Sequence, residues 1–274
     1  MGKNNPEISV LMPVYDVPDE FLRPAIESVL GQTFHDFELL IVDDGSESEQ
    51  CRKTLDEYAK KDSRVRIIRN TGNIGLTKSL NVGISQASGK YIARLDGNDI
   101  AHPERLEKQI GHMRKNPDCS LLGSWSDIID GNGNLIGKQK SPIGYSAIKK
   151  GIVAQNPFVH SSWFFRKDIV RQIGGYDEGM LKAQDYDLAL RLTAGHEVAI
   201  LPEFLCSYRF LEDGLSFKKN KGQEKYALAA RKNALKKYGY PKSDYLKLLV
   251  PEIMHWLVPS FAKKFLIKNI IWKI

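Results

Sequence analysis

The stretch Phe37-Glu-Leu-Leu-Ile-Val-Asp-Asp-Gly-Ser46 decides the fold class of this chain. Residues 37–42 are mostly apolar and predict a short buried strand. The turn Asp43-Asp44-Gly45-Ser46 follows directly, so the carboxyl end of that strand carries two carboxylates. A second apolar run at residues 91–95 ends in the same way, in Asp96-Gly97-Asn98-Asp99.

Outward from these two segments, predicted strands alternate with predicted helices over residues 1–115. The strands cover residues 8–12, 37–42, 64–68 and 91–95, and the helices lie near residues 24–30, 49–60, 76–84 and beyond Pro103. This alternation predicts βαβ units and a parallel sheet, whose ligands bind beyond the carboxyl ends of the strands. Both acidic turns should therefore lie on one edge of the sheet. The rest is less regular, with a hairpin predicted at Asp130-Gly-Asn-Gly133 and two closing strands at residues 198–201 and 205–210.

The composition excludes several classes of protein. The 274 residues are 42% hydrophobic, which excludes a disordered chain, and the three scattered cysteines favour buried thiols over a disulfide framework. No apolar run approaches the ~18 residues that a membrane-spanning helix needs. Residues 1–10 lack the apolar core of a secretory signal, which predicts a cytoplasmic protein.

The net charge of +7 is concentrated in the C-terminal part of the chain. Residues 215–274 hold 14 Lys and Arg residues against three acidic residues, whereas residues 1–214 hold 26 against 30. This distribution does not fit a uniformly basic nucleic-acid-binding protein, so no nucleic-acid partner is expected. We expect residues 1–214 to form the main domain and residues 215–274 a basic, amphipathic helical tail. Aromatic and basic residues within 250–274 predict contact with an anionic membrane surface, while packing on the main domain or on another subunit stays open.

Three acidic motifs could carry chemistry. Alone, the turn at residues 43–46 predicts only a helix cap. The oxygens of Asp96, Asn98 and Asp99 are spaced to hold a hard divalent cation together with diphosphate oxygens, although the same turn could cap the next helix. Two carboxylate clusters at one sheet edge repel each other unless a cation or a donor lies between them, which favours a site. Asp185, at a predicted helix start, is either a cap or a general base.

Taken in order along the chain, these motifs resemble those of family 2 glycosyltransferases, inverting enzymes with the GT-A fold. The resemblance covers residues 8 to about 210. The residues that carry it are Ser9-Val-Leu-Met-Pro-Val-Tyr-Asp16, Ile41-Val-Asp-Asp-Gly-Ser46, Asn73-Ile-Gly-Leu76 with Ser79-Leu-Asn81, Leu95-Asp-Gly-Asn-Asp99, Pro103-Glu-Arg-Leu106, His160 through Arg166, Gly174-Gly-Tyr-Asp177 and Gln184-Asp-Tyr-Asp-Leu-Ala-Leu-Arg-Leu192. It implies an α/β fold, a GT-A-like Rossmann-type mixed sheet flanked by helices, with a C-terminal helical extension. A nucleotide-binding half would cover about residues 1–115 and an acceptor half about residues 116–214.

The resemblance also implies a role for each matched residue. Asp185 would be the catalytic base, and Asp44 would accept a hydrogen bond from the ring N–H of the donor's base. Mn²⁺ or Mg²⁺ would be held by Asp96, Asn98 and Asp99. The nucleotide sugar would contact Pro13, Val14, Tyr15, Asp16, Asp44, Asn73, Gly75, Lys78, Arg94, Asp96 and Gly97, and further contacts to acceptor or donor would come from His160, Trp163, Gly175 and Gln184. For Trp163, packing in the core is the alternative that we favour.

Two residues depart from the family pattern. Asn98 stands where the family usually has Asp, so the metal site loses one charge. Gln184 replaces the usual Glu before the base, which should lower the pKa of Asp185.

We therefore predict an inverting, metal-assisted glycosyltransferase. It would move a sugar from a nucleotide diphosphate, UDP in our interpretation, to a glycan or lipid-linked glycan at the cytoplasmic face of the plasma membrane. The alternatives are a nucleotide-sugar-binding protein without efficient turnover and a sugar nucleotidyltransferase. The latter needs a glycine-rich phosphate loop after the first strand, and residues 12–16 contain no glycine.

Overall fold

The computed structural model of the protein describes residues 5–211 and 220–246. Within these residues the chain forms nine strands, eight α-helices and two short 3₁₀ helices. The strands are β1 (Ile8–Val14), β2 (Phe37–Asp43), β3 (Val65–Arg69), β4 (Tyr91–Arg94), β5 (Ile100–Ala101), β6 (Cys119–Ile129), β7 (Leu135–Gln139), β8 (Phe164–Arg166) and β9 (Glu197–Arg209). The α-helices are α1 (Asp19–Leu30), α2 (Glu49–Lys61), α3 (Leu76–Gln86), α4 (Arg105–Lys115), α5 (Tyr145–Gly151), α6 (Lys167–Gln172), α7 (Gln184–Gly195) and α8 (Asn220–Lys237). The 3₁₀ helices are His160–Ser162 and Lys242–Tyr245.

The strands form one mixed sheet in the order β3-β2-β1-β4-β8-β6-β9-β5, and β7 pairs with β6. β3, β2, β1 and β4 run parallel, as the alternation of strands and helices predicts. β8 is antiparallel to both β4 and β6, and β6 and β7 form the hairpin expected around residues 130–133. The result is the mixed sheet flanked by helices that the family resemblance implies.

Two hydrophobic clusters cover the two faces of the sheet. One contains Leu11 together with residues of α3 and α7, and the other contains Val10 together with residues of α1, α2 and α4. Successive strand residues point to opposite faces, so Val10 and Leu11 belong to different clusters. Every residue of β1 is buried, as expected for a central strand that is covered on both faces.

The parallel strands bring the two acidic turns to either side of the end of β1. Asp44, which follows β2, donates its N–H to Val14 O at 2.8 Å, and Leu95, which follows β4, donates its N–H to Leu11 O at 3.1 Å. Neighbouring strands lie about 4.8 Å apart, which separates Asp44 from Asp96 by roughly 10 Å across β1. Both turns therefore lie on one edge of the sheet.

The helical extension packs on the main domain. α8 lies within the region predicted as a helical tail, and Tyr240 beyond it donates its hydroxyl to Leu190 O at 2.9 Å. Four buried side chains of this region join the cluster that contains α7; they are Ala230, Ala234, Leu235 and Tyr240. The predicted boundary at residue 214 and the aromatic, basic segment at residues 250–274 lie outside the described residues.

Among the helices of residues 5–211 and 220–246, none combines the length and apolarity that a bilayer span requires.

The turn that carries Asp44 requires glycine at position 45. Gly45 has a φ of +74°, and a Cβ built there would lie 2.5 Å from the carbonyl carbon of Gly72. Gly133 has a similar φ of +86°, but no atom lies within 4 Å of such a Cβ. We therefore expect Gly45→Ala to lower the free energy of unfolding by about 3 kcal/mol and Gly133→Ala by about 1 kcal/mol, measured by urea denaturation. Equal losses of unfolding free energy in the two variants would mean that the backbone around Gly72 moves to accommodate the added Cβ.

Candidate active site

The carboxylate of Asp44 organises the loop before α3. Its Oδ1 accepts hydrogen bonds from Asn70 Nδ2 at 2.8 Å and from Ile74 N–H at 2.9 Å, and its Oδ2 accepts one from Gly75 N–H at 2.9 Å. A carboxylate has about four acceptor positions, so within the described residues one position on Oδ2 of Asp44, which is 4% exposed, has no hydrogen-bond partner. The sequence indicates Asp44 but not Asn70, which lies outside every motif.

The turn after β1 presents the ring of Tyr15 to solvent. Pro13 and Val14 are buried, whereas Tyr15 is 41% exposed. Asp16 has a positive φ of +47°, and its Oδ1 accepts a hydrogen bond from Ser48 N–H at 2.8 Å. Asp16 therefore joins this turn to the loop after β2, and Tyr15 is the side chain that a planar base can reach.

The start of α3 is polar and accessible. Asn73 and Lys78 are exposed on either side of Gly75, whose φ is +92°. The N-terminus of a helix carries partial positive charge and favours an anion. The surroundings of Gly75 thus suit a phosphate group, as the resemblance implies.

Asp96 lies beside a buried guanidinium. Arg94 is 1% exposed and its Nη2 forms an ion pair with Asp96 Oδ1, while the Asp96 side chain is 32% exposed. Arg94 is thus out of direct reach of a ligand and acts through Asp96, which corrects its predicted contact with the nucleotide sugar. Gly97 is buried, and a Cβ there would lie 3.2 Å from Val14 Cγ2, so the acidic turn passes close to the end of β1.

Asp99 is buried, which contradicts its predicted role as a metal ligand. It has no exposed surface; its Oδ1 accepts a hydrogen bond from Arg209 N–H at 2.7 Å, and its Oδ2 accepts one from Ser161 Oγ. Burial and the neighbouring charge of Asp96 raise the pKa of Asp99 to about 7. Asp99 therefore joins the acidic turn to β9 and to the 3₁₀ helix His160–Ser162.

The hydroxyl of Ser161 determines which oxygen of Asp96 is free. Ser161 Oγ accepts hydrogen bonds from Arg94 Nη1 at 2.8 Å and from Asp96 N–H at 3.2 Å. Its single proton goes to Asp99, because Asp96 Oδ2 is farther away, at 3.3 Å. Asp96 Oδ2 therefore keeps free acceptor capacity. Ser161 lies within the matched segment at residues 160–166, but the sequence assigns it no role.

The acidic turn fits a cation that arrives with a diphosphate. Within the part of the chain that the structure describes, no three acidic, His or Cys side chains converge on a metal position. Mg²⁺ is commonly held by one or two carboxylates together with substrate phosphates, so a complete protein cage is not required. The free Oδ2 of Asp96 and the amide oxygen of the partly exposed Asn98 suit such a partial set.

Asp185 lies in the first turn of α7, two residues after Ala183, which has a φ of +54°. Its side chain is partly exposed, and Asn156 Nδ2 donates to its Oδ2 at 3.3 Å. Burial raises the pKa of Asp185, whereas the charge of Arg94 lowers it and that of Asp96 raises it. Asp185 and Asp96 thus lie within electrostatic range of each other and of one buried cation. Asn156 is a further residue that no motif indicates.

His160 and Trp163 belong to an aromatic cluster. His160 Nε2 forms a hydrogen bond with the Tyr176 hydroxyl at 2.7 Å, and the Trp163 ring stacks on Tyr176 with centroids 6.5 Å apart. Burial, together with the charge of Arg94, lowers the pKa of His160 well below its usual value. Trp163 has no exposed surface and Gln184 is 7% exposed, which corrects their predicted contacts with acceptor or donor. For Trp163, the favoured alternative of core packing holds.

Gly175 lies at a separate cavity. Its φ is +68°, and a Cβ there would lie 2.8 Å from Asn81 Oδ1, so this position requires glycine. The cavity has a volume of about 420 Å³, and neither Asp96 nor Asp185 lines it. The acceptor contact expected at Gly175 stays a prediction.

The sequence of this chain matches a known protein family and several known proteins. The sequence profile of glycosyl transferase family 2 matches residues 9–174. The chain belongs to this family. It is 39% identical over 209 residues to the uncharacterized glycosyltransferase MJ1057 of Methanocaldococcus jannaschii, covering 75% of this chain and 71% of that protein. It is 37% identical to the O-antigen biosynthesis glycosyltransferase WbnJ of Escherichia coli, covering 68% of this chain and 71% of the relative.

A third relative matches almost the full length of this chain. The UDP-Gal:alpha-D-GlcNAc-diphosphoundecaprenol beta-1,3-galactosyltransferase of Escherichia coli is 26% identical, covering 99% of this chain and 98% of that protein. The protein is therefore a glycosyltransferase of the surface-polysaccharide type.

Solved structures share the fold at low sequence identity. TarS of S. aureus, in complex with UDP-GlcNAc, superposes with a TM-score of 0.73 at 16% identity, covering 94% of this chain and 76% of that one. The mannosyltransferase PcManGT of Pyrobaculum calidifontis, in complex with GDP-Man and Mn²⁺, superposes with a TM-score of 0.68 at 13% identity, covering 99% and 77%. These likenesses support the GT-A-like architecture.

Trp163 and Tyr15 should differ sharply in their effect on stability. Trp163→Ala removes a fully buried ring and should lower the free energy of unfolding by about 3–5 kcal/mol. Tyr15→Ala removes an exposed ring and should change it by less than about 0.5 kcal/mol. Chemical denaturation of both variants measures the difference. If the Trp163→Ala protein were as stable as the wild type, core packing of this ring would be contradicted, and Trp163 would again be a candidate for contact with a ligand.

Proposed function

We propose that this glycosyltransferase moves a sugar from a UDP-sugar to an acceptor hydroxyl in a single displacement, with Asp185 as general base. The observation that carries the proposal is the position of Asp185. Its carboxylate has a raised pKa, stands on the first turn of α7 and lies within electrostatic range of Asp96. The two carboxylates would then act at opposite ends of the reaction, one at the acceptor and one beside the leaving group.

The donor nucleotide would lie along the ends of β1 and β2. Its base would stack on Tyr15, and its ring N–H would donate to the free position on Asp44 Oδ2. Uracil offers such an imide N–H, which a carboxylate suits. The diphosphate would approach Asn73 and Lys78 at the start of α3, where the helix N-terminus favours negative charge. UDP-Gal in the name of the E. coli relative and UDP-GlcNAc bound to TarS support a UDP donor.

A divalent cation, Mn²⁺ or Mg²⁺, would be held by Asp96 Oδ2 and the amide oxygen of Asn98, together with diphosphate oxygens. When bound, it would stabilise the negative charge that develops on the leaving diphosphate. Arg94 already neutralises part of the charge of Asp96, and Asn98 contributes none. We therefore infer weaker cation binding than at a site with two free carboxylates.

Asp185 would accept the proton of the acceptor hydroxyl. Burial raises its pKa and makes it a stronger base than an exposed aspartate, and the Asn156 amide orients the carboxylate. As the acceptor oxygen loses its proton, it attacks the anomeric carbon from the side opposite the diphosphate, and the bond from that carbon to the diphosphate oxygen breaks. The configuration at the anomeric carbon would therefore invert.

The acceptor would be a glycan, in particular one linked to a lipid at the cytoplasmic face of the plasma membrane. The name of the E. coli relative contains such an acceptor, a diphosphoundecaprenol-linked sugar. Basic and aromatic residues within 250–274 would supply the contact with the membrane surface.

A second function, nucleotide-sugar binding without efficient turnover, is favoured by one observation. Asn98 replaces the charged oxygen that the family usually offers to the cation. Measurement of turnover distinguishes glycosyl transfer from nucleotide-sugar binding alone.

Asp185→Asn should abolish turnover without weakening nucleotide binding. The amide keeps the shape of the side chain but cannot take a proton, so release of UDP should fall by about 100-fold or more. The donor for this assay is whichever of UDP-Gal and UDP-GlcNAc raises the melting temperature more, with Mn²⁺ present. In the wild type, kcat should fall as the pH drops through the Asp185 pKa, at a pH above the ordinary aspartate value, because the base must be ionised.

The matched control for this variant is Asp168→Asn. Asp168 is an exposed aspartate in the first turn of α6 and should tolerate the change without effect on UDP release. Calorimetric titration should give UDP dissociation constants within twofold for all three proteins. An Asp185→Asn enzyme with the wild-type rate would remove Asp185 from the mechanism, and a wild type without turnover would favour the binding protein.

Asn98→Asp should strengthen the response to Mn²⁺. An added carboxylate beside a divalent cation contributes about 1 kcal/mol, so the Mn²⁺ concentration for half-maximal UDP release should fall roughly fivefold. Asn116→Asp, the same change at an exposed position after α4, should leave it unchanged. An unaltered Mn²⁺ response in Asn98→Asp would place the cation away from this turn.

A further inference from the structure

α8 is joined to α7 by more than apolar packing. The side chain of Arg231, partly buried, reaches from α8 to the first turn of α7. Its Nε donates to the Tyr186 hydroxyl at 3.0 Å, and its guanidinium lies over the Tyr186 ring, 5.1 Å from the centroid. Lys225 and Lys236 of the same helix are exposed. Arg231 thus places its charge inside the interface rather than in solvent.

The same guanidinium holds a second segment. Arg231 Nη2 donates to Ala154 O at 3.0 Å. The Tyr186 hydroxyl accepts from Arg231 and donates its own proton to Ile152 O at 2.5 Å. Tyr186 is 4% exposed, so this hydroxyl has to find its partners within the protein. Arg231 and Tyr186 therefore hold residues 152–154 against the first turn of α7.

These two segments meet at Asp185. Asp185 directly precedes Tyr186, and Asn156 follows Ala154 by two residues. Asn156 Nδ2 donates to Asp185 Oδ2 at 3.3 Å, across the junction of the two segments. A shift of either segment would turn the carboxylate, and proton transfer depends on the direction in which the carboxylate points.

We propose that Arg231 is a positioning residue for the base Asp185, and that α8 thereby belongs to the catalytic apparatus. By holding Tyr186 and residues 152–154 together, Arg231 fixes the orientation of the Asn156 amide relative to the Asp185 carboxylate. The planar guanidinium suits this role because it serves two acceptors at once, whereas a lysine ammonium is a point charge on a flexible stem. This inference rests on the proposed function of Asp185.

The test compares Arg231→Met with the wild type in the UDP-release assay, with the donor chosen by thermal shift. Rates are divided by the number of UDP-binding sites counted by calorimetric titration, which removes unfolded protein from the comparison. We expect kcat per site to fall at least tenfold, with KM for the donor unchanged within twofold. Arg231→Lys should recover part of kcat, and Lys236→Gln should match the wild type. A loss confined to the number of binding sites, with kcat per site unchanged, overturns the proposal.

A double-mutant cycle with Asp185→Asn distinguishes this proposal from the proposed base. If Arg231 acts through Asp185, Arg231→Met should have no further effect on the residual rate of the Asp185→Asn enzyme. The same fold loss in both backgrounds would mean that Arg231 acts elsewhere, and the positioning role would be wrong. If Asp185→Asn alone kept the full rate, the base assignment would fail, and the positioning role would fail with it.

Discussion

The geometry of the site depends on the buried guanidinium of Arg94. A cation that is 1% exposed has to be paired, and Arg94 donates to Asp96 Oδ1 and to Ser161 Oγ. Because Ser161 also holds Asp99, one charge joins β4, the acidic turn and the 3₁₀ helix His160–Ser162. Arg94 thereby offsets part of the repulsion between Asp96 and Asp99, which together with burial raises the pKa of Asp99.

The same cation acts on groups that it does not touch. His160 is held neutral mainly by burial, and Arg94 adds to that effect; as a neutral ring it can exchange a hydrogen bond with Tyr176. Burial raises the pKa of Asp185, and Arg94 opposes the rise. A carboxylate that accepts a proton binds it more strongly when it is partly desolvated, but it also has to be ionised beforehand. A nearby buried cation keeps a partly desolvated carboxylate ionised.

The sequence predicts the order of the elements and the edge on which the site lies, but not which oxygens are free. Alternating apolar runs and helices are enough to place Asp44 and Asp96 at the ends of parallel strands. Burial within a four-residue turn follows no period, so the spacing that marks Asp96 as a ligand also marks Asp99, which serves β9 instead. Asn156 lies in a loop and Ser161 in a three-residue 3₁₀ helix, both without periodicity, and only the tertiary structure brings them to the carboxylates.

One strand boundary was predicted wrongly for a related reason. Two closing strands, at residues 198–201 and 205–210, are expected from the sequence, and Pro202 lies between them. The structure has a single strand, β9, whose register against β6 shifts between Ser124 and Trp125, so that residues 202–203 are passed over. A proline is tolerated where a bulge removes the need for its missing N–H. Local sequence cannot distinguish such a bulge from a break in the strand, because the pairing with β6 determines which of the two forms.

The change in charge near residue 214 does not mark a change in packing for residues 220–246. Net charge reports on the side chains that face solvent, whereas α8 packs through small apolar residues, Ala230 and Ala234, in the cluster that contains α7. An Ala- and Lys-rich helix can therefore be basic outside and apolar inside. Since this apolar face already covers α7, it is not available to a lipid surface. α8 therefore serves the domain that holds Asp185.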